Sequence, residues 1–533
     1  MSLHWPLCVS YQGPPAPAEA VTRRERWIRW RRTPFTEPDP VWAAEPDLKL
    51  VQQIANKHKW MCGFSGCKNV SVEFFKDGAF NKLYIISAIE THTSNRIERI
   101  LRFSMPIHPW FTIQSEIATM EFVRLQTTIP VPRVYIFDSS GENELGLEWM
   151  IMEKIDGHTL NSVLEAELSM LQKERVYRDV AGWVHQLSTL QFDKIGSLYC
   201  RWNTCRSPIL GDFYLGPASD FQFAHDYRQE YDIPRGPYNS VRDYLQGIVD
   251  LYQVETLDPR QHKRSQFWDL FNDFESEGIM HSKRQELQLW PSLYSKADLE
   301  QIPQYCQSLR YAISLIVKEA ALPPRSTFLP HFDISSNNII VNRDGVPIAL
   351  LDWEQITTRP FSFGCPLPKF IINNTMDQDY ITITPSHELP ATMVENLRLK
   401  QYFLDSLRNM RSPAVPFIDK SNILGEEFEK LFENVLTIPQ SVEADGFEFV
   451  RDVIAKRGMA WLDAPGLEDW KKQSSVDPIS LNFSLLDQQG MRTSKLSIVQ
   501  TLRAGCCVLR AQKRFRARRL QRLVQAERDP AQS

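Results

Sequence analysis

The stretch HFDISSNNIIVNRDGVPIALLDWE (331–354) concentrates the residues best suited to chemistry. His331, Asp333 and Asn338 precede two short apolar runs, IIV (339–341) and VPIALL (346–351), and Asp352 follows them. The intervening NRDG (342–345) is a turn sequence, so the two runs predict an antiparallel hairpin. Residues just before its first strand and just after its second then share one end. Asn338 and Asp352 become neighbours across 14 residues of sequence, with Asp333 in the loop beside them. Two carboxylates and a carboxamide make an oxygen-rich site suited to Mg²⁺. Such a cation can bridge nucleotide phosphates while the second carboxylate takes a proton from an attacking hydroxyl. Three other readings compete on these residues. His331-x-Asp333 is also a metal-hydrolase pair, but no second His/Asp cluster accompanies it. A carboxylate pair also serves glycoside hydrolysis, which leaves Asn338 unused. Asp and Asn at hairpin ends also simply cap turns.

The elements that must position this hairpin come in two blocks. Between residues 70 and 156 the pattern is strand-like: SVEFF (71–75), FNKLYIIS (80–87), IERILRF (97–103), IPVPRVYIF (129–137) and LGLEWMIMEK (145–154). Asp77-Gly78 marks a turn between the first two. One helix interrupts them over 112–126, with residues 113, 117, 120 and 123 on a single apolar face. Beyond Gly157 the chain reads as mainly helical. Tyr305, Leu309, Ala312, Ile313, Ile316, Val317 and Ala320 form a stripe over 305–322 that Pro323-Pro324 end. Helical segments resume after the hairpin and run to about residue 465.

Bulk properties narrow the function classes. The 533 residues carry 61 Lys/Arg against 65 Asp/Glu, a net charge of −4, with 43% hydrophobic and 24% charged residues. That is the balance of a soluble globular protein. No run approaches the ~18 to 20 apolar residues of a membrane helix, which excludes a transmembrane protein. Near-neutral charge argues against nucleic-acid binding by the core. The last 33 residues differ: nine Lys/Arg against two acids give +7, a basic tail that could meet an acidic partner or a membrane surface. A solvated tail accounts for it at least as well, and a wrongly spliced gene end is a third reading. Nine cysteines are too sparse for a disulfide framework. The C-x4-C pairs Cys62/Cys67 and Cys200/Cys205 could bind zinc, though buried reduced thiols account for them better. The Arg-rich run from Arg23 to Arg32 has the look of a mitochondrial presequence, weakened by Glu25; the cytoplasm is the first expectation.

The blocks H-x-D-x-x-x-x-N (331–338), hairpin and L-D-W-E (351–354), with SEIATMEFVR, IPVPRVYIFD, LEWMIMEKIDGHTL and IGSLY upstream, resemble the aminoglycoside phosphotransferase-like family, in the form common among filamentous fungi. The likeness covers roughly 65–365. It implies an α+β, bilobal, protein-kinase-like fold, with a small β-rich N-lobe and a larger, mainly helical C-lobe. The expected division is a disordered or flexible lead-in (1–45), an N-lobe (46–156), a C-lobe (157–470) and an extension with the basic tail (471–533). The implied cofactors are ATP and Mg²⁺, and the acceptor is a hydroxyl on a small molecule. By the same resemblance Asp333 is the catalytic-loop aspartate, Asn338 and Asp352 are the metal ligands, and His331 is structural. Arg102 takes the phosphate-binding position and Glu116 pairs with it, with Glu121 as rival. Met152, Glu153 and Ile155 mark the adenine-binding hinge, and Gly78, Phe80 and Asn81 the loop over the phosphates. The insertion between Gly196 and Pro330 would supply the acceptor pocket. A single glycine in the phosphate loop and the added tail keep a second class in view: a weak pseudokinase serving as a binding scaffold.

Overall fold

The computed structural model describes residues 7–8, 14–33, 36–64, 67, 70–90, 95–164, 168–202, 212–258, 296–317, 325–374 and 391–418. Met1–Arg31 and Pro38–Met459 form one compact unit, and Arg32–Glu37 with Ala460–Ser533 a second. The basic tail, Cys205, Cys506-Cys507 and the expected helical segments past 418 lie outside the described residues.

Five of the expected strands assemble into a six-stranded sheet. Its order is Leu7–Cys8, Val134–Asp138, Glu148–Glu153, Arg96–Ser104, Asn81–Ile89 and Ser71–Asp77. Leu7–Cys8 runs parallel to its neighbour, and every other pairing is antiparallel. Alternation along the strands aims Tyr84, Ile86, Leu101, Phe103, Trp149 and Ile151 at one buried cluster, which the helix Leu48–His58 covers through Val51, Ile54 and Ala55. On the other side lies the helix Phe111–Gln126, whose predicted face Ile113, Ile117, Met120 and Val123 is fully buried. This β-rich lobe is followed by the mainly helical part, built on Met170–Thr189, Val241–Leu257, Lys296–Ile316 and Ala391–Asn409. The architecture is therefore α+β with two lobes, as the resemblance implies.

Two expectations need correction. Within residues 1–45, read as a flexible lead-in, Pro17–Trp27 is a helix and Ile28–Thr33 a strand. Proline content suggests an open chain, but Trp27 and Ile28 are apolar enough to be buried and so anchor it. Arg23 donates to the Ser140 carbonyl, Arg24 donates to the Asp226 carbonyl, and Arg24 pairs with Glu230 at 3.3 Å. These arginines belong to the folded body. The second correction concerns the stripe placed at 305–322. Its helix begins earlier, at Lys296, and ends at Ile316; Tyr305, Leu309, Ala312, Ile313 and Val317 are buried as expected. Ala320 lies outside the described residues.

The hairpin pairs Ile339–Val341 with Pro347–Leu350, and His158–Thr159 adds a third strand. Its turn closes through Gly345 N–H to the Asn342 carbonyl (3.0 Å) and Asn342 N–H to the Val346 carbonyl (3.0 Å). Cys62, Cys67 and Cys200 are buried free thiols. Burial pushes Cys62 and Cys200 up to about 12, which suits packing rather than metal binding. Among the described residues no helix is long and apolar enough to cross a membrane.

Candidate active site

Hydrogen bonds of the hairpin mouth fix the loop that precedes it. The Leu351 N–H donates to the Asn338 carbonyl (2.8 Å), setting Asp352 next to Asn338 as the hairpin reading requires. The Asn338 side-chain amide donates to the Asp333 carbonyl (3.0 Å). His331 is buried, and its Nδ1 accepts the Asp333 N–H (3.2 Å), so its Nε2 carries the proton toward the Leu351 carbonyl (3.0 Å). Burial holds this imidazole below its ordinary pKa, in keeping with the neutral tautomer. Trp353 packs edge-on against the ring at 4.7 Å and donates its indole N–H to the Leu350 carbonyl (2.8 Å). Between these two anchors Asp352 adopts φ 66°, a left-handed conformation that costs a non-glycine residue energy and that the surrounding contacts enforce.

The result is a loop whose oxygens remain available. Neither Oδ1 of Asn338 nor the Asp352 carboxylate has a hydrogen-bond or ion-pair partner among the described residues. Two oxygen donors without hydrogen-bond or ion-pair partners among the described residues, on segments joined by the Leu351–Asn338 hydrogen bond, have the chemistry of a hard-cation site. Asp333 is different, because Lys369 Nζ stands 2.9 Å from its Oδ1. The Lys369 N–H also donates to the Ile334 carbonyl (2.8 Å), tying this lysine to the same loop.

A second group of residues gathers on the sheet. Arg102 faces Leu83 and Met150 across the ladder and is buried. Its two terminal nitrogens reach Glu116 Oε1 and Oε2 at 2.6 and 2.5 Å, a bidentate fork. Nε donates to Asn81 Oδ1 (2.9 Å), and one terminal nitrogen also reaches Glu354 Oε2 (3.2 Å). The Asn81 amide nitrogen contacts that same Glu354 oxygen at 3.1 Å. Burial opposes the Arg102 charge, but Glu116 and Glu354 more than offset it and hold the guanidinium above its ordinary range. Glu354 itself is pushed up to about 8 by burial and then by the nearby Asp352 charge. Glu121, the rival partner, turns instead to Arg124 at 3.2 Å.

The phosphate-loop candidates form a tight turn. The Gly78 N–H donates to the Asn81 carbonyl (2.7 Å), and the Phe80 carbonyl accepts the Met105 N–H (2.7 Å). A Cβ at Gly78 would meet the Asn81 carbonyl oxygen at 3.4 Å, ordinary contact, so sterics do not demand this glycine. At the expected hinge, Glu153 gives its N–H to the Arg133 carbonyl (2.8 Å) and accepts the Arg133 N–H on Oε2 (3.1 Å). Met152 is half-buried against the core, and Ile155 has no hydrogen bond among the described residues.

A cavity of about 580 Å³ opens onto Phe80, His331, Asp333, Asp352, Glu354 and Lys369. Asp220, Phe221 and Tyr244 from the 196–330 insertion also line it. Phe80 and Phe221 meet there at 5.6 Å. The structure therefore brings Phe80, Asp333 and Asp352 to one cavity, while Gly78, Asn81, Arg102, Glu116, Asn338, Met152, Glu153 and Ile155 are not on its lining. Lys369 and Glu354 escaped the sequence reading. Glu354 was legible only as part of the L-D-W-E block, and Lys369 had no motif to mark it.

The chain is similar to several known proteins. A family model described as the phosphotransferase enzyme family matches residues 84–363. The chain is 28% identical over 430 residues to a subtelomeric hrmA-associated cluster protein of Aspergillus fumigatus, covering 75% of this chain and 79% of that one. It is 23% identical over 354 residues to the Saccharomyces cerevisiae altered inheritance of mitochondria protein 9, covering 60% of this chain and 55% of that one. Among solved structures, choline kinase from Cryptosporidium parvum aligns with 80% of this chain and 96% of its own, at 14% identity and a TM-score of 0.30.

Proposed function

Because the chain belongs to the phosphotransferase enzyme family, we propose that it moves the γ-phosphoryl group of ATP to a hydroxyl of a small molecule. The observation that carries this reading is the hydrogen-bonded set at the hairpin mouth: Asp333, Asn338 and Asp352 locked together through the Asp333 carbonyl and the Leu351 N–H. In it Asp333 orients the acceptor hydroxyl and takes its proton as the oxygen attacks phosphorus. Asn338 and Asp352 would hold Mg²⁺, which when bound neutralises charge on the phosphate oxygens. Arg102, kept in place by Glu116, supplies a fixed positive charge for the α- and β-phosphates. The turn at Gly78, Phe80 and Asn81 covers them, and Met152, Glu153 and Ile155 mark the adenine site, where Ile155 offers backbone while the Glu153 N–H is held by the Arg133 carbonyl. His331 holds the loop and stays neutral. Asp220, Phe221 and Tyr244 place the acceptor in the cavity; its walls mix aromatic and acidic groups, and the 14 Lys/Arg and 17 Asp/Glu of the insertion give no strong field for a polycation.

A thermal-shift titration with ATP and Mg²⁺ tests the nucleotide half of this reading, since a ligand stabilises by RT ln(1 + [L]/Kd). Stabilisation that Asp352→Ala removes supports it. The alternative, a catalytically weak scaffold, has one observation in its favour: Glu116, Asn81 and Glu354 together occupy the edges of Arg102 that phosphates would use. No shift at millimolar nucleotide favours that scaffold. Of the two compartments considered, the mitochondrion is the one in the yeast relative's name; microscopy of the tagged chain decides between it and the cytoplasm.

A further inference from the structure

We propose that Glu354 is a positioning residue that stands in for a phosphate oxygen on Arg102 and Asn81 and must let go of both when nucleotide binds. The inference rests on the nucleotide-dependent reading above. Arg102, Asn81 and Glu354 form a closed ring. Arg102 Nε donates to Asn81 Oδ1, the Asn81 amide donates to Glu354 Oε2, and that oxygen also accepts from Arg102. One carboxylate oxygen thus takes two donors, one from each of two adjacent strands, Asn81–Ile89 and Arg96–Ser104. A phosphate oxygen would engage the same pair.

Glu354 follows Asp352 by two residues and has side-chain exposure of only 9%, so the ring ties the sheet to the hairpin exit. Glu116 already neutralises the guanidinium through a bidentate fork. Glu354 is a second acceptor on the same group, taking the N–H donors that an incoming phosphate oxygen would use. An incoming phosphate must displace that side chain, because one terminal N–H edge cannot serve two acceptors. The free protein gains from the contact and the nucleotide complex loses it. Glu354 therefore lowers nucleotide affinity while stabilising the nucleotide-free state, two effects of opposite sign.

Glu354→Ala removes the acceptor oxygens, whereas Glu354→Gln keeps one of them together with the shape. Calorimetry with ADP in EDTA, free of metal, reads the affinity, and thermal denaturation reads the free protein. The expected result is ADP binding tighter by roughly tenfold, the scale of one charge-assisted hydrogen bond, with a lower melting temperature in the absence of nucleotide. Glu354→Gln should move both quantities the same way, by less. A purely packing role lowers stability and affinity together. A role confined to binding metal leaves the metal-free affinity unchanged. Either result overturns the proposal while leaving ATP-dependent transfer standing. If neither wild type nor Glu354→Gln binds ADP at millimolar concentration, the nucleotide reading and this inference both fail.

Discussion

Lys369 Nζ lies 2.9 Å from Oδ1 of Asp333, the carboxylate proposed to take the acceptor's proton. Both side chains are well exposed, at 52% and 39%, so solvent screens the pair and its worth to folding is about 0–1 kcal/mol. Its effect is on orientation. Lys369→Met should lower kcat by roughly tenfold through lost carboxylate alignment, with the melting temperature nearly unchanged. Steady-state kinetics beside thermal denaturation checks both halves; a large stability loss would make the lysine a structural post.

Glu116 and Glu121 sit one turn apart on Phe111–Gln126, both buried, yet only Glu116 meets Arg102. Removing Glu116 takes away the bidentate partner of a buried guanidinium and leaves it only Asn81 and the longer Glu354 contact, so Glu116→Ala should cost about 3 kcal/mol of stability and weaken nucleotide binding. Glu121→Gln should leave nucleotide affinity within twofold, roughly the scatter between independent sites. Equal effects on nucleotide binding at the two positions would contradict the assignment.

Gly157 precedes the strand His158–Thr159 that joins the catalytic hairpin. A Cβ there would stand 2.5 Å from Ile340 Cγ2 and 2.6 Å from the Val341 carbonyl oxygen. Gly157→Ala must push the hairpin away, at a cost of about 1–3 kcal/mol. Urea denaturation should show the loss; an unchanged midpoint would mean the strand gives way freely.

His108 is buried and stacked on Phe111 at 4.4 Å. Burial first, then the charges of Arg235 and Arg24, lower its pKa to about 3. The unfolded imidazole titrates near 6.5, so its contribution is complete above that pH and is lost as pH falls from 6.5 toward 3, by about 1.4 kcal/mol per unit. Buried carboxylates such as Glu148, pushed up to about 8, titrate over a neighbouring range, so the comparison is with His108→Gln. The stability gap between wild type and variant should be wider at pH 7.5 than at pH 5. A gap independent of pH would show that His108 titrates in the fold as it does in the unfolded chain.

Much of the site was legible because it is local. Asn338, Asp352 and the intervening strands lie within one short stretch, and hairpin geometry alone makes their neighbourhood. The helix face of 113, 117, 120 and 123 was legible through periodicity, but periodicity cannot choose between Glu116 and Glu121, which burial admits equally. Lys369 and the Glu354–Asn81 contact depend on tertiary approach between segments distant in sequence, and no spacing rule encodes that. The ordered Pro17–Trp27 helix was obscured by its prolines, whose local bias Trp27 and Arg24 overcome through burial and long-range partners.

The central claim is that Asp333 takes the acceptor's proton in a nucleotide-loaded site. An acceptor found by screening metabolites with γ-labelled ATP allows the direct measurement: turnover of Asp333→Asn together with its ATP affinity by calorimetry. Turnover should fall by about 10³-fold, within the range of general-base catalysis, with ATP affinity retained. Near-wild-type turnover in that variant would contradict it.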